Sequence, residues 1–486
     1  MKRSKFNLSN TQLLSADMGQ LIPCGLLEVL PGDTIQHAAS ILARCMPLSS
    51  PPMHRVRIKL HHWFVPHRLV WSSWENFITG GADGLNASVF PTISLTNVAA
   101  KSLADYLGVP VGNGTQVVSA LPFRGYALIW NQWYRDQDLQ TPLTISLADG
   151  ADTTTSTVLQ SPAWEKDYFT TARPWEQKGS TVQVASAISG IAANVQQSAT
   201  STPTIFQPGS GDTAAGNWKA SNDYQQSPLL RMNAGGTALD LKLIADINDF
   251  REAFALQRYK EARARYGSRY TEYLAYLGVR SSDARLQRPE YLGGSSQNIS
   301  FSEVLQTGST TADVNGVGQL YGHGIAAMRS NRYRKFFEEH GYIHSFISVM
   351  PESMYPNGIF RTWNRRTKED FFQKELQHIG QQPVLMKEVY ALGANPDSVF
   401  GYQDRYDDYR YQESRVHGEF LTTLNDWHFA RLLGAQPALN AAFVSGADVT
   451  KRPFQAQGSN NTMLFQVRHK IGARRIVAAR GSSFVY

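Results

Sequence analysis

Three groups of residues have chemistry to offer: histidines, a cluster of carboxylates with arginines, and basic residues set among aromatics. The chain carries 12 histidines, of which His61 and His62 are adjacent in "MHRVRIKLHHWFVP" (Met53 to Pro66). Neighbouring residues of a strand point to opposite faces, so this pair cannot chelate one ion together. A site shared with His54 or His67 is conceivable, but solvated or interface histidines are the plainer expectation. His323 has glycine on either side in "YGHGIAAM", without the serine-centred turn of a nucleophile elbow. Asp404, Asp407 and Asp408 sit among Arg405, Arg410 and Arg415 in "GYQDRYDDYRYQESR". Such acids could work as an acid and base pair or hold a cation, yet interleaved arginines would keep them ionised and paired. A structural or interface network is expected there.

Basic residues are the strongest theme. Arg468, Lys470, Arg474 and Arg475 lie in a strand-forming tail, and Lys2, Arg3 and Lys5 open the chain, while no carboxylate side chain follows Asp448. These seven are the candidate DNA-binding residues, because lysine and arginine neutralise backbone phosphates and stacking on nearby aromatics tolerates any base sequence. A solvated basic face explains the tail equally well. In Met53 to Pro66, Val56, Ile58 and Leu60 share one face of a strand and Arg55, Arg57, Lys59 and His61 the other. The apolar face needs a core. The basic face needs water, a carboxylate partner or a phosphate, and alternation does not choose among them.

The elements that must position these residues come from a chain of 486 residues, long enough for a sizeable core. It is 42% hydrophobic and 11% aromatic, a globular composition. The charged fraction of 18% lies below the ~25% of ordinary domains, so much surface is neutral and open to cover by partners. A net charge of +7 permits contact with nucleic acid or an anionic surface. Cys24 and Cys45 are the only cysteines, without metal-ligand spacing, so neither a disulfide framework nor a metal site is expected, and no cofactor. Gly-rich phosphate loops are missing. No apolar run reaches signal-peptide length or the ~20 residues of a membrane span, so residence in a cytoplasm and no membrane insertion are expected.

Residues 1 to 120 read mainly as strands punctuated by Gly and Pro, with a turn at "LPGDT" and a short helix near Trp71, Trp74 and Phe77 that Gly80 and Gly81 stop. Tyr126, Ile129, Trp130 and Trp133 have helical spacing and predict a buried aromatic stripe. From Gly179 to Gly236 the chain is rich in Ser, Thr, Ala, Gly, Gln and Asn and reads as a long surface excursion. Leu243, Ile247, Phe250 and Phe254 predict a helix ending at Gly267, followed by a second over Thr271 to Leu277. Strand-like runs return at Tyr342 to Pro351, Pro383 to Gly393 and near the end. Strands at both ends with insertions between them predict one β-scaffold carrying excursions.

Several stretches in this order resemble the major capsid proteins of gokushovirus-type microviruses, small phages with circular single-stranded DNA. They are "GQLIPCGLLEVLPGDT", "HHWFVPHRLVWSSWENFITG", "LPFRGYALIWNQWYRDQDLQ", "RPWEQKG", "RYTEYLAYLGVRSSDARLQRPEYLGG", "EHGYIHSFISV" and "VFGYQDRYDDYRY". The resemblance implies an all-β fold, an eight-stranded antiparallel jelly roll of viral capsid type, with long loop insertions containing helices. It further implies one capsid domain over 1–486 and a variable surface loop over 180–236 that gathers into a threefold protrusion, while the residues themselves mark a helical insertion over 239–294 and a basic C-terminal segment over 449–486. Host contact is expected in that loop, with Ala187, Gln196, Thr202, Phe206 and Trp218 as candidate residues.

The expected function is structural: self-assembly into a small icosahedral shell around a single-stranded DNA genome, without a catalytic step. Arg55, Arg57 and Lys59 would then face a neighbouring subunit or the capsid interior. The implied partners are further copies of the chain, the genome, a small basic packaging protein, a pilot protein and a host surface receptor. The implied location is the virion, assembled in the host bacterial cytoplasm. Rivals are a jelly-roll enzyme or carbohydrate-binding module and a monomeric single-stranded DNA-binding protein.

Overall fold

The computed structural model describes residues 3–182, 233–234, 237–238, 247–267, 269–307, 318–458 and 460–479. They fall into two compact units, one of Met1–Lys178 with Glu261–Tyr486, the other Gly179–Lys260. The fold is all-β with few helices.

The first unit opens with β1 (Ser4–Asn7), β2 (Asn10–Ala16), β3 (Leu21–Val29), β4 (Thr34–Cys45) and β5 (Val56–Pro66). A hairpin of β6 (Thr92–Val98) and β7 (Gly112–Ser119) follows. In the second unit β8 (Asn233–Ala234) pairs with β9 (Thr237–Ala238). The chain then forms β10 (Glu290–Asn298), β11 (Ser300–Leu305), β12 (Leu320–Arg329), β13 (Tyr333–Phe336) and β14 (Gly341–Pro351). A small pair, β15 (Gln381–Leu385) with β16 (Val399–Asp404), precedes the long last strand β17 (Met463–Arg475).

Two antiparallel sheets organise this unit. The first has the order β1-β17-β4-β12-β11, with β2 also on β17 and β13 also on β4; the second is β10-β5-β14-β3. Successive long strands alternate between sheets, from β2 to β3, β4 and β5. The "LPGDT" turn between β3 and β4 uses Gly32 at φ 82°, a left-handed conformation that suits glycine. The Asp33 carboxylate caps it by accepting from the Leu30 N–H at 3.1 Å.

The sheets meet face to face. Val56, Ile58 and Leu60 of β5 join Ile22, Cys24, Ile347 and Val349 against Ile41, Ala43, Phe465 and Val467 of the opposing sheet. The alternation that placed those β5 residues on an apolar face therefore has its core, and each fully buried aliphatic side chain adds roughly 1.5–3 kcal/mol.

Helices cover the outside of the second sheet. The first two are α1 (Trp74–Thr79), which ends at Gly80 as expected, and α2 (Leu103–Tyr106). In α3 (Leu121–Ile129), Leu121, Phe123, Tyr126 and Ile129 pack on Trp63, Val65 and Phe346. Gly125 faces β14 so closely that a Cβ would lie 2.6 Å from His344 Nε2. The predicted aromatic stripe continues in a single π-helical turn, Trp130–Tyr134.

The expected helical insertion contains α4 (Ile247–Tyr266) and α5 (Tyr270–Tyr276). Residues 239–246 lie outside the described residues, and strand β10 already starts at Glu290. A separate cluster of Tyr168, Phe169, Val384, Phe400 and Phe443 surrounds β15 and β16.

Candidate nucleic-acid interface

The first sheet buries one face against its partner and presents the other to solvent. The alternation on β17 is strict: Met463, Phe465, Val467, His469 and Ile471 are buried, and Leu464, Gln466, Arg468, Lys470 and Arg474 are exposed. Alternate residues of a strand are spaced about 6.7 Å apart, so the cations form a row. Register extends the row sideways. Lys5 on β1 lies opposite Arg474. Ser40 on β4 pairs with Arg468 on one side and Arg329 on the other. Arg44 is opposite Leu464, and Gln36 stands between Gly472 and Arg334.

Seven exposed cations thus share this face: Lys5, Arg44, Arg329, Arg334, Arg468, Lys470 and Arg474. Strands β1, β2, β4, β12, β13 and β17 contain no Asp or Glu. None of the seven meets a carboxylate among the described residues. An array of one sign over a closed hydrophobic core raises the local concentration of anions. A shallow apolar groove beside it is lined by Leu13, Leu42 and Leu464.

The sequence-selected cations divide. Lys5, Arg468, Lys470 and Arg474 belong to the open face. Arg475 turns the other way and forms an ion pair with buried Asp33, Nε to Oδ2 at 3.0 Å. Arg3 donates to Gly32 O at 3.0 Å and Thr34 Oγ1 at 3.1 Å while lying over the Phe336 ring. Lys2 lies outside the described residues, as do Ala187, Gln196, Thr202, Phe206 and Trp218. Arg44, Arg329 and Arg334 were not singled out from the sequence. Their signal was available: acid-free strands with a cation at an outward position.

The basic face of β5 has a different fate. Arg57 and Lys59 converge on Glu165, at 3.1 Å and 2.6 Å. Burial works against ionising Glu165, but these two cations outweigh it and hold the carboxyl below its usual range. Arg55 approaches Glu352 at 3.9 Å, and His61 Nδ1 is 2.7 Å from the Tyr134 hydroxyl. Arg57 and Lys59, expected to face a neighbour or the capsid interior, thus have a carboxylate partner within their own chain.

The remaining chemical groups bond within the chain. Asp408 pairs with Arg365 and accepts from Gln382 Nε2 at 3.1 Å, and Asp407 pairs with Arg410 at 3.2 Å. His62 Nδ1 is 2.7 Å from Ser345 Oγ, and His37 Nε2 is 3.0 Å from His469 Nδ1, all buried between the sheets. Burial pushes His37 down to about 3 and His62 well below the usual histidine range. Among the described residues no three His, Cys, Asp or Glu side chains are grouped to hold a metal ion. Among them, too, no helix is long and apolar enough to cross a membrane.

The described residues form an all-β scaffold of two facing sheets, one of which presents a row of cations on its outer face. The chain belongs to the phage capsid protein (F protein) family, whose model matches residues 1–483. It is 35% identical to capsid protein VP1 of Bdellovibrio phage phiMH2K, over 91% of this chain and 87% of the relative. It is 30% identical to capsid protein VP1 of Chlamydia phage 1, over 91% and 89% of the two chains. The identity to capsid protein VP1 of Spiroplasma virus 4 is also 30%, over 91% and 87%. The chain is a structural major capsid protein of the microvirus type, a component of the virion that assembles with copies of itself.

Proposed function

We propose that the whole chain, 1–486, is one jelly-roll capsid domain with insertions, and that its copies close into a small icosahedral shell around single-stranded DNA. The orders β2-β17-β4-β12 and β3-β14-β5-β10, with the chain alternating between sheets, support an eight-stranded antiparallel jelly roll. The role is non-enzymatic. The observation that carries the DNA contact is the acid-free face bearing Arg468, Lys470 and Arg474, joined by Lys5, Arg44, Arg329 and Arg334. Cations at that spacing neutralise a flexible phosphate backbone without reading bases.

The loop over 180–236 is assigned host contact on the resemblance, with a surface receptor as its partner. A small basic packaging protein and a pilot protein complete the particle, and assembly takes place in the host bacterial cytoplasm. The basic segment over 449–486 contributes through β17. Its Lys451 instead pairs with Asp17 at 2.8 Å.

The test is sedimentation of purified particles with absorbance at 260 and 280 nm, for the native chain and for a triple R468E/K470E/R474E variant. Shells of unchanged size with markedly less nucleic acid are expected. In short-oligonucleotide titrations the dependence of log affinity on log salt should flatten by roughly 2, at ~0.7 per lost phosphate contact. Variant shells that hold as much DNA as native ones would overturn the assignment of this face. A native chain that stays a slow monomer would overturn the shell reading and favour a monomeric DNA-binding protein.

A further inference from the structure

Away from the basic sheet, two segments of the first unit have opposite surface character. One is α5 with its flanks. Tyr266, Tyr270, Tyr273 and Tyr276 are exposed there, Tyr270 at 65%, followed by Leu277 and Val279. The Arg263 guanidinium lies over the Tyr273 ring at 4.6 Å and the Tyr276 ring at 5.1 Å, which fixes the rings in place. Arg269 fastens the segment to the body by donating to Gln132 O at 2.6 Å and Asn131 O at 2.9 Å. Glu272 accepts from Gln137 Nε2 at 2.6 Å, and Asp283 pairs with Arg288, also at 2.6 Å. From Arg265 to Arg285 the exposed charges are Arg265, Arg280 and Arg285; no carboxylate there is exposed.

The other segment is α1 with the loop after it. Between Leu69 and Ala100 there is no Lys, Arg or His, and Glu75 and Asp83 are the acids, both exposed. Phe77, Ile78, Leu85 and Val89 stand out beside them, Leu85 at 82%. Trp71 anchors this segment, fully buried with its Nε1 donating to Asp149 at 2.6 Å.

We infer that the α5 segment of one copy docks on the α1 segment of a second copy of this chain. The inference rests on the self-assembly reading. Tyrosine and arginine are the side chains that dominate binding energy at protein interfaces, and rings already held in place lose little freedom on docking. The facing segment offers exposed aliphatic groups and two carboxylates with no cation of its own. Arg280 and Arg285 match Glu75 and Asp83 in sign and number, and complementarity of this kind sets register and suppresses wrong contacts. A tyrosine and arginine face could instead stack bases. The matching surface on the same chain favours the second copy, because every contact in a shell of identical subunits has both halves on one chain.

Three variants of the full chain test this: R280E/R285E, E75K/D83K and the quadruple combination. Each is checked for native circular dichroism and thermal midpoint, then for particle yield by sedimentation. Each double variant should remain folded and lose roughly tenfold in particle yield, since like charges would then face each other. The quadruple variant, with both signs exchanged, should recover most of the yield. Double variants that assemble like the native chain would overturn the contact, and so would a folded quadruple variant that fails to recover. If R280E/R285E yields normal shells that hold less DNA, the segment contacts nucleic acid and the inference is wrong. A native chain that forms no particles would instead remove the self-assembly reading beneath it.

Discussion

Arg475 and Asp33 form an ion pair of 3.0 Å in which the Asp33 side chain is fully buried, while the adjacent Arg474 is exposed on the opposite side of the same strand. Two consecutive arginines therefore have separable roles. Removing one partner of a buried pair leaves a charge without compensation, at a cost of about 3 kcal/mol. Arg475→Ala should lower the unfolding free energy by about that amount and leave DNA per assembled particle unchanged. Arg474→Ala should do the reverse. Urea denaturation alongside the absorbance ratio of purified shells distinguishes them, and equal loss of DNA in both would contradict the assignment.

A second buried pair ties α3 to the loops around it. Arg124 Nε donates to Asp152 Oδ2 at 2.7 Å with both side chains inaccessible to water, and the same guanidinium donates to Val70 O and Ala148 O, each at 3.0 Å. Burial opposes the charged form of Asp152, yet hydrogen bonds from Thr155 and Arg124 outweigh it and keep the carboxyl below its usual range. Arg124→Met should cost about 3–5 kcal/mol, because it strips three acceptors of their donor. Chemical denaturation of the dissociated subunit measures this. A loss under about 1 kcal/mol would show that water replaces the guanidinium.

The buried histidines set the response to acid. Burial holds His37 and His344 at about 3 and His54 and His67 at about 4. In the unfolded chain they titrate near 6.5. Between those values the unfolded state binds protons that the folded state refuses, so stability falls as pH falls from about 6.5 towards 4. Each such histidine contributes up to about 1.4 kcal/mol per pH unit across that window, and above it the effect vanishes. Unfolding midpoints recorded from pH 8 to 4 should be flat at first and then drop. His344→Met should make the drop shallower, since it removes one buried group that resists protonation, and among the described residues neither ring nitrogen of His344 has a hydrogen-bond partner to lose. An unchanged slope in that variant would remove His344 from the account.

The same histidine limits what position 125 accepts. A Cβ there would stand 2.6 Å from His344 Nε2, and His344 is itself fully buried. Gly125→Ala should destabilise the subunit by roughly 1–3 kcal/mol despite alanine's better helix propensity. Combined with H344A, which opens space, the substitution should cost less than it does alone. Strict additivity in this double-mutant cycle would argue that α3 simply shifts.

How far the sequence reached depends on the range of the interaction. Period-two alternation identified β5 and its buried Val56, Ile58 and Leu60, because a strand's facing is a local property of the chain. Helical spacing and glycine stops located α1 and α5 for the same reason. The ordered resemblance of seven stretches identified the capsid family and the all-β class. Local patterns could not say which strand face stays open, since that depends on α3 covering one sheet and nothing among the described residues covering the other. They could not assign Arg57 and Lys59 to Glu165, which is 108 residues from Arg57. They did not separate Arg474 from Arg475 in function, because Asp33 is brought to Arg475 only by the pairing of β4 with β17. Nor could they gather Arg44, Arg329 and Arg334 beside Arg468, which takes four strands in register. The sequence by itself determined strands, helix ends, charge and family; the tertiary structure decided which charges are neutralised within the chain and which remain free to meet a partner, because that outcome rests on contacts between residues far apart in sequence.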